Sequence, residues 1–161
     1  MYNAAMKSAT HPAAPPVSTM ICFSVYAAGL AFNRLYQNLL GEYDLTYPQF
    51  LVLISLQQGG TQKVSAIGES LYLESNTLTP LLKRMEKAGL ITRQRDKVDE
   101  RVVQVSLTKA GAKLSKDIGC VPPQVFEATH MGMKDFAALT ANLNALAANL
   151  RSHTQTLHNL I

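Results

Sequence analysis

At Gly89 the hydrophobic pattern of this chain changes period, and that change limits the fold more than any other feature of the sequence. Before the glycine, apolar residues recur every three or four positions, as on a helix face. After it, Leu90 to Arg95 and Val102 to Leu107 read as two strands. The polar run Asp96-Lys97-Val98-Asp99-Glu100-Arg101 joins them into a hairpin. The expected fold class is mainly α with one small β-hairpin.

The helices follow from stripes and stops. Ser18 or Thr19 is the expected cap of a first helix, whose seam of Ile21, Val25, Ala28, Phe32, Leu35 and Leu39 ends at Gly41. Thr46 caps a second, with Pro48 in its first turn, a buried face of Phe50, Leu51, Leu53, Ile54 and Leu56, and Gly59-Gly60 as the stop. A short third helix runs from about Val64 to Leu71, and Tyr72-Leu73-Glu74 turns the chain into a fourth capped by Ser75. Leu78, Leu81, Leu82 and Met85 are the apolar face of that fourth helix. Pro80 leaves its start open: either the first turn is loose, or the helix begins near Thr79. Thr108 caps a fifth helix through Lys116, with breaks expected near Gly119 and at Pro122-Pro123. From Phe136 the positions Leu139, Leu143, Leu146, Leu150, His153, Leu157 and Leu160 form a three-four seam that needs a partner helix. The first helix carries a matching stripe, so the two pair within one chain or across a homodimer, and the dimer is the favoured reading.

With 161 residues, 47% hydrophobic and 16% charged, the chain suits one folded domain. Met1 to Val17, with Pro12, Pro15 and Pro16, is expected to be a tail outside it. No apolar run reaches the roughly 18 residues of a membrane span, and no signal peptide opens the sequence. The expectation is a cytoplasmic protein without membrane partners, in which Cys22 and Cys120 are reduced or redox-active rather than a permanent staple. No CxxC or HExxH occurs and His11, His130, His153 and His158 are scattered, so neither a metal nor another cofactor is expected.

The net charge of +4 is unevenly placed. Lys83, Arg84, Lys87, Arg93, Arg95, Lys97 and Arg101 stand against only Glu86, Asp96, Asp99 and Glu100 in one stretch. By itself such a cluster is most simply a solvated helix face. Two short helices joined by a tight turn and followed by a basic hairpin, however, make a winged helix-turn-helix, and the ordered combination favours DNA. A helix fits the major groove, so Ser75, Asn76, Thr77 and Thr79 are placed to reach bases and phosphates, with Lys83 and Arg84 on the backbone. Lys97 and Arg101 at the hairpin tip suit a neighbouring minor groove, with Asp99 clamping Arg101. The division expected is 45–108 for DNA binding and 18–44 with 109–161 for dimerisation.

If Thr19 caps the first helix, Cys22 is its third residue, where free amides and the helix dipole favour a thiolate. Tyr26 and Tyr36 share its stripe, so a hydroxyl near the sulfur is available. The competing reading is a small core cysteine with packing tyrosines.

The stretch from Leu78 to Leu90, then Asp96-x-x-Asp99-Glu100-Arg101 and Leu107-Thr108-x-x-Gly111, resembles the signature region of the MarR family of dimeric regulators. The resemblance implies a two-fold dimer built by the first and last helices, a pseudo-palindromic double-stranded operator, Arg101 in the minor groove, and a recognition helix that keeps Pro80. Met20-Ile21-Cys22-Phe23-Ser24-Val25-Tyr26, Tyr36 and Leu45-Thr46-Tyr47-Pro48-Gln49 are similar to the OhrR subgroup, which senses organic hydroperoxides. That likeness implies a repressor whose Cys22 is the redox sensor. Its thiolate would be held by Tyr26 and by Tyr36 from the other subunit, with help from Tyr47. Two-cysteine members of the subgroup carry a resolving thiol where Glu127 aligns here, and Cys120, seven residues upstream, is the alternative candidate. Two other readings stand beside this one: a MarR-type repressor released by a small aromatic ligand, and a small thiol peroxidase using Cys22 and Cys120. The second lacks a thioredoxin-like βαβ pattern.

Overall fold

A computed structural model describes residues 15–158. Most of the expected tail and Leu160 of the expected seam lie outside the described residues, as do His11 and the side chains of Leu157 and His158. Among the described residues there are seven α-helices: α1 (Ile21–Gly41), α2 (Tyr47–Gly59), α3 (Val64–Leu71), α4 (Ser75–Lys87), α5 (Lys109–Asp117), α6 (Val121–Ala128) and α7 (Met133–His158). A three-stranded antiparallel sheet of β1 (Gln62–Lys63), β2 (Ile91–Arg95) and β3 (Val103–Leu107) has the order β1-β3-β2.

Several helix starts differ from the sequence expectation. Thr19 does not cap α1, because its hydroxyl is taken by the Pro16 carbonyl at 2.8 Å within a short 3-10 turn, Val17–Thr19. Met20 occupies the cap without a side-chain bond, which makes Cys22 the second residue of the helix rather than the third. Ser75 is likewise the first residue of α4 and not its cap. The Thr77 and Leu78 amides both bond to the Glu74 carbonyl, so α4 is regular from its first turn and carries Pro80 in its interior. Neither a loose first turn nor a start near Thr79 occurs. Pro122 and Pro123 open α6 instead of breaking the chain, since a fixed φ and a missing amide suit a first turn.

Thr46 begins α2 as expected: the Gln49 side chain accepts from the Thr46 amide at 2.8 Å and from its hydroxyl at 3.0 Å. Strand β1 was not anticipated. It is two residues long, too short for a period, and pairs Gln62 with Val105 and Lys63 with Gln104.

The core gathers Leu40 of α1, Phe50, Leu53 and Leu56 of α2, Ile67 of α3, Leu78, Leu82 and Met85 of α4, and Ile91, Val105 and Ile118. Each such side chain contributes about 1.5–3 kcal/mol by leaving water, so the helix-turn-helix and the hairpin form one packed body. The stripes of α1 and α7 do not bury each other. Ile21 is 67% exposed and Leu150 60%, and Val25, Phe32, Leu139 and Leu143 are also exposed.

Helix α4, the hairpin and α5 meet at one joint. Gly89, with φ 72°, ends α4: its amide bonds to the Glu86 carbonyl and the Leu90 amide to that of Met85. The Thr108 hydroxyl then donates to the Gly89 carbonyl at 2.7 Å and accepts from the Gly111 amide at 3.0 Å. Gly111 is buried, and a methyl group there would collide with the Leu90 carbonyl oxygen, which is itself backbone. Gly111→Ala is therefore expected to cost roughly 3 kcal/mol, the upper part of the range for overpacking. A thermal melt checks it, and a Tm within about 2 °C of the parent would show that the joint yields.

Candidate nucleic-acid interface and thiol site

The buried face of α4 fixes what its other face presents. With Leu78, Leu81, Leu82 and Met85 inside, Ser75, Asn76, Thr77, Lys83 and Arg84 are exposed and Thr79 is half-buried. The six residues expected on α4 thus share one accessible side. The basic side chains at the helix end match the dipole, and no acidic residue stands in the first turn.

In the hairpin tip the acidic residues order the backbone. The Asp96 carboxylate accepts the Val98 amide at 2.9 Å, the Asp99 amide at 3.3 Å and the Gln104 side chain at 3.1 Å. Asp99 accepts the backbone amide of Arg101 at 3.0 Å, so the expected clamp acts on the main chain; no ion pair to the guanidinium occurs among the described residues. Lys97 and Arg101 remain exposed.

Sequence reasoning missed three contributors. Asp96 was read only as part of a polar tip. Glu86 holds the hairpin base to α4, bonding to the Arg93 amide at 3.2 Å and lying 3.5 Å from its guanidinium. A groove of about 510 Å³ runs between α3, the start of α4 and the hairpin, and Lys63, Arg93 and Arg101 all border it. Opposite charges seven residues apart, on either side of a helix stop, were the available signal for the Glu86–Arg93 pair.

The thiol site is divided. Cys22 and Tyr26 lie one turn apart on the exposed start of α1. Tyr36 and Tyr47 are brought together, with ring centroids 4.3 Å apart, and Phe50 lies against both. Burial, and for Tyr36 also the proximity of Tyr47, pushes both phenols above their ordinary range. Both hydroxyls therefore stay protonated donors at neutral pH. Fourteen residues of helix separate Cys22 from Tyr36, about 21 Å at 1.5 Å per residue, so they do not meet within one chain.

Cys120 sits beyond the other end of α1. Its sulfur is 3.6 Å from the Tyr43 hydroxyl and 3.4 Å from the Asp117 carbonyl oxygen. The nineteen residues from Cys22 to the end of α1 span about 28 Å, which excludes a disulfide between Cys22 and Cys120 of one chain. Among the described residues no group of His, Cys, Asp and Glu is arranged to hold a metal, and no helix is long and apolar enough to cross a membrane.

A helix-turn-helix that leads into a basic, ordered wing, with bare apolar stripes on two long flanking helices, defines a winged-helix DNA-binding protein. The family model described as "Transcriptional regulator SarA/Rot" matches residues 34–118. The chain is 43% identical over 136 residues to the HTH-type transcriptional regulator TtmR of Methylorubrum extorquens, covering 84% of this chain and 70% of that one. It is 40% identical over 134 residues to the organic hydroperoxide resistance transcriptional regulator of Bacillus subtilis, covering 83% and 91%. Among solved structures, reduced AbfR bound to DNA, a Staphylococcus epidermidis protein, matches with a TM-score of 0.67 and 31% identity over 83% of this chain and 94% of that one. The chain belongs to the MarR family of winged-helix transcriptional regulators, among relatives of the OhrR type.

The lowered pKa of Asp96, caused first by the Val98 amide and then by Gln104 and the Asp99 amide, sets a pH dependence. A carboxylate held below its unfolded value supports the wing fully above that value and loses the support as the pH falls through the folded one. The wing should therefore keep its order down to about pH 4 and loosen only below it. Amide chemical shifts of Val98 and Asp99 followed by NMR check this; Asp96→Ala should abolish the acid step, and an unchanged titration in that variant would contradict the assignment.

Proposed function

We propose that this protein is a homodimeric repressor that holds a pseudo-palindromic DNA operator in the reduced state and releases it when an organic hydroperoxide oxidises Cys22. The observation that carries the reading is the Tyr36–Tyr47 pair: two protonated hydroxyls on the same helix system as an exposed first-turn cysteine, but about 21 Å from it within the chain. A second copy, packed through the bare stripes of α1 and α7, brings its own Cys22 to them.

The chemistry needs no cofactor. The reacting form of Cys22 is the thiolate, the nucleophilic form of any cysteine. Its sulfur attacks the peroxide oxygen, the O–O bond breaks, and the alkoxide leaves and takes a proton, giving a sulfenic acid and an alcohol. The sulfenic acid condenses with a second thiol, releasing water and forming a disulfide. Within a chain Cys120 is out of reach, so that thiol is either a small external one or Cys120 of the second copy. Either adduct displaces the tyrosine contacts and shifts one subunit against the other. Both half-sites can be read only while the recognition helices keep a spacing of about 34 Å, so a small shift suffices for release.

On the operator, Ser75, Asn76, Thr77 and Thr79 enter the major groove, Lys83 and Arg84 hold the backbone, and Lys97 and Arg101 occupy the minor groove. A second reading, release by a small aromatic ligand, is favoured by one feature: an open groove of about 520 Å³ bordered by Leu30, Arg34, Gln37, Tyr47 and Pro48, with a guanidinium for a carboxylate.

A duplex selected from a random pool by the reduced protein gives the test. Stoichiometric cumene hydroperoxide should release the parent, whereas Cys22→Ser should stay bound; release of that variant would overturn the cysteine mechanism. Tyr36→Phe with Tyr47→Phe should slow oxidation roughly tenfold, the worth of a hydrogen bond to a charged group. Salicylate releasing the duplex without any peroxide effect would select the second reading. Non-reducing electrophoresis then assigns the resolving thiol, as a crosslinked dimer lost in Cys120→Ser or as a monomer carrying a small adduct.

A further inference from the structure

The distal half of α7 meets the helix-turn-helix through Arg151, whose guanidinium carbon lies 3.8 Å from the centroid of the Tyr72 ring. Tyr72 is where α3 ends, with φ 54° and ψ 38°. Only Leu73 and Glu74 separate it from the first residue of α4. A bulky residue in this left-handed region carries backbone strain and persists where the surroundings hold it. Its amide and that of Leu73 close on the Glu69 and Gly68 carbonyls, while the Tyr72 side chain lies outside the core, 68% exposed. Arg151 has no carboxylate partner among the described residues.

The other aromatic contact of α7 is at its start, where Phe136 meets Phe126 of α6 edge to face at 5.1 Å. Fifteen residues, about 22 Å of helix, lie between the two attachments. Helix α7 is thus fastened at one end to α6 and near the other to the turn that launches α4. The same helix carries the exposed Leu139, Leu143 and Leu150 stripe.

We propose that Arg151 and Tyr72 are positioning residues for operator binding: their stacked contact transmits the placement of α7 to the α3–α4 turn, and so sets where the recognition helix stands. Neither residue is assigned a contact with DNA. The inference rests on the DNA-binding reading above and adds to it a route from the dimer helices to the recognition helix.

An exposed cation–π pair is worth about two- to fivefold in an equilibrium, and a dimer contains two. Arg151→Gln and Tyr72→Leu should each weaken binding of the selected duplex by about 4- to 25-fold, and the double variant should be no weaker than either single one. Arg151→Lys, which keeps the cation, should recover most of the affinity. A purely structural pair would lower the Tm and leave the affinity of the folded protein within twofold, which overturns the proposal; so would additive single effects. The chain has no tryptophan, so Tyr72→Trp provides a single reporter. Its emission should change when the duplex binds, and Arg151→Gln on that background should remove the change, whereas persistence would count against the contact as the route. Failure of the parent protein to bind any selected duplex would overturn the DNA-binding reading and this inference with it. Binding by the parent with unaltered variants overturns this inference alone.

Discussion

At Gly89 and Leu90 three elements meet: their amides close α4 on the Glu86 and Met85 carbonyls, and their carbonyls accept from Thr108. The recognition helix ends there through the left-handed glycine, the hairpin begins there, and α5 is capped by a threonine that bonds back to the same backbone. A single misplacement at this point would move the helix, the wing and α5 together. That is useful for a reader of DNA, because a helix in the major groove and a wing in the minor groove must be registered to one another before either meets the duplex. Glu86 adds a second tie across the joint through Arg93. Helix α4 and the hairpin are thus tied to one another at two places.

The wing shows how acidic residues serve a cationic surface. Asp96 and Asp99 would weaken an anion-binding tip if they paired with its arginines. Instead they accept main-chain amides, which orders the turn while leaving the Arg101 and Lys97 side chains exposed. Ordering the loop in advance removes part of the entropy that a flexible tip would lose on binding. The spacing Asp96-x-x-Asp99-x-Arg101 is thus a folding signal first and an electrostatic one second.

Where the sequence carried strong periodic signals, the elements were legible. Helix α3 has the anticipated limits, α2 starts at its anticipated cap, and the hairpin strands are off by one residue at their starts. The two misplaced caps share a cause: each turned on a polar residue with more than one possible partner. Thr19 was free to cap α1 or to close a turn on Pro16, and the local proline won. Ser75 was an apt cap, but the chain had already turned at Tyr72, whose left-handed backbone no stripe announces. Pro80 left the start of α4 open and Pro122-Pro123 were read as a break, although the first is tolerated inside α4 and the others open α6. The accessible face of α4 was legible because its complement is apolar. The Tyr36–Tyr47 approach was not, because it joins two helices whose crossing is decided by Phe50 and the core behind it.

The proposed sensor is split along one helix, and that split has a consequence for how it would work. Helix α1 is stiff and its length is fixed by hydrogen bonding, so no local fluctuation carries Cys22 about 21 Å to the Tyr36–Tyr47 pair of its own chain. In the proposed site, the tyrosine donors and the sulfur they face belong to different copies. Folding of one chain would then build two half-sites, and association would complete both at once. On the proposed mechanism, peroxide reactivity and the dimer geometry would rest on the same packing of bare stripes, Ile21 and Val25 on α1 with Leu139, Leu143 and Leu150 on α7, all of them exposed in the single chain. An oxidised sulfur that no longer fitted between the tyrosines would then act directly on the surface that spaces the two copies.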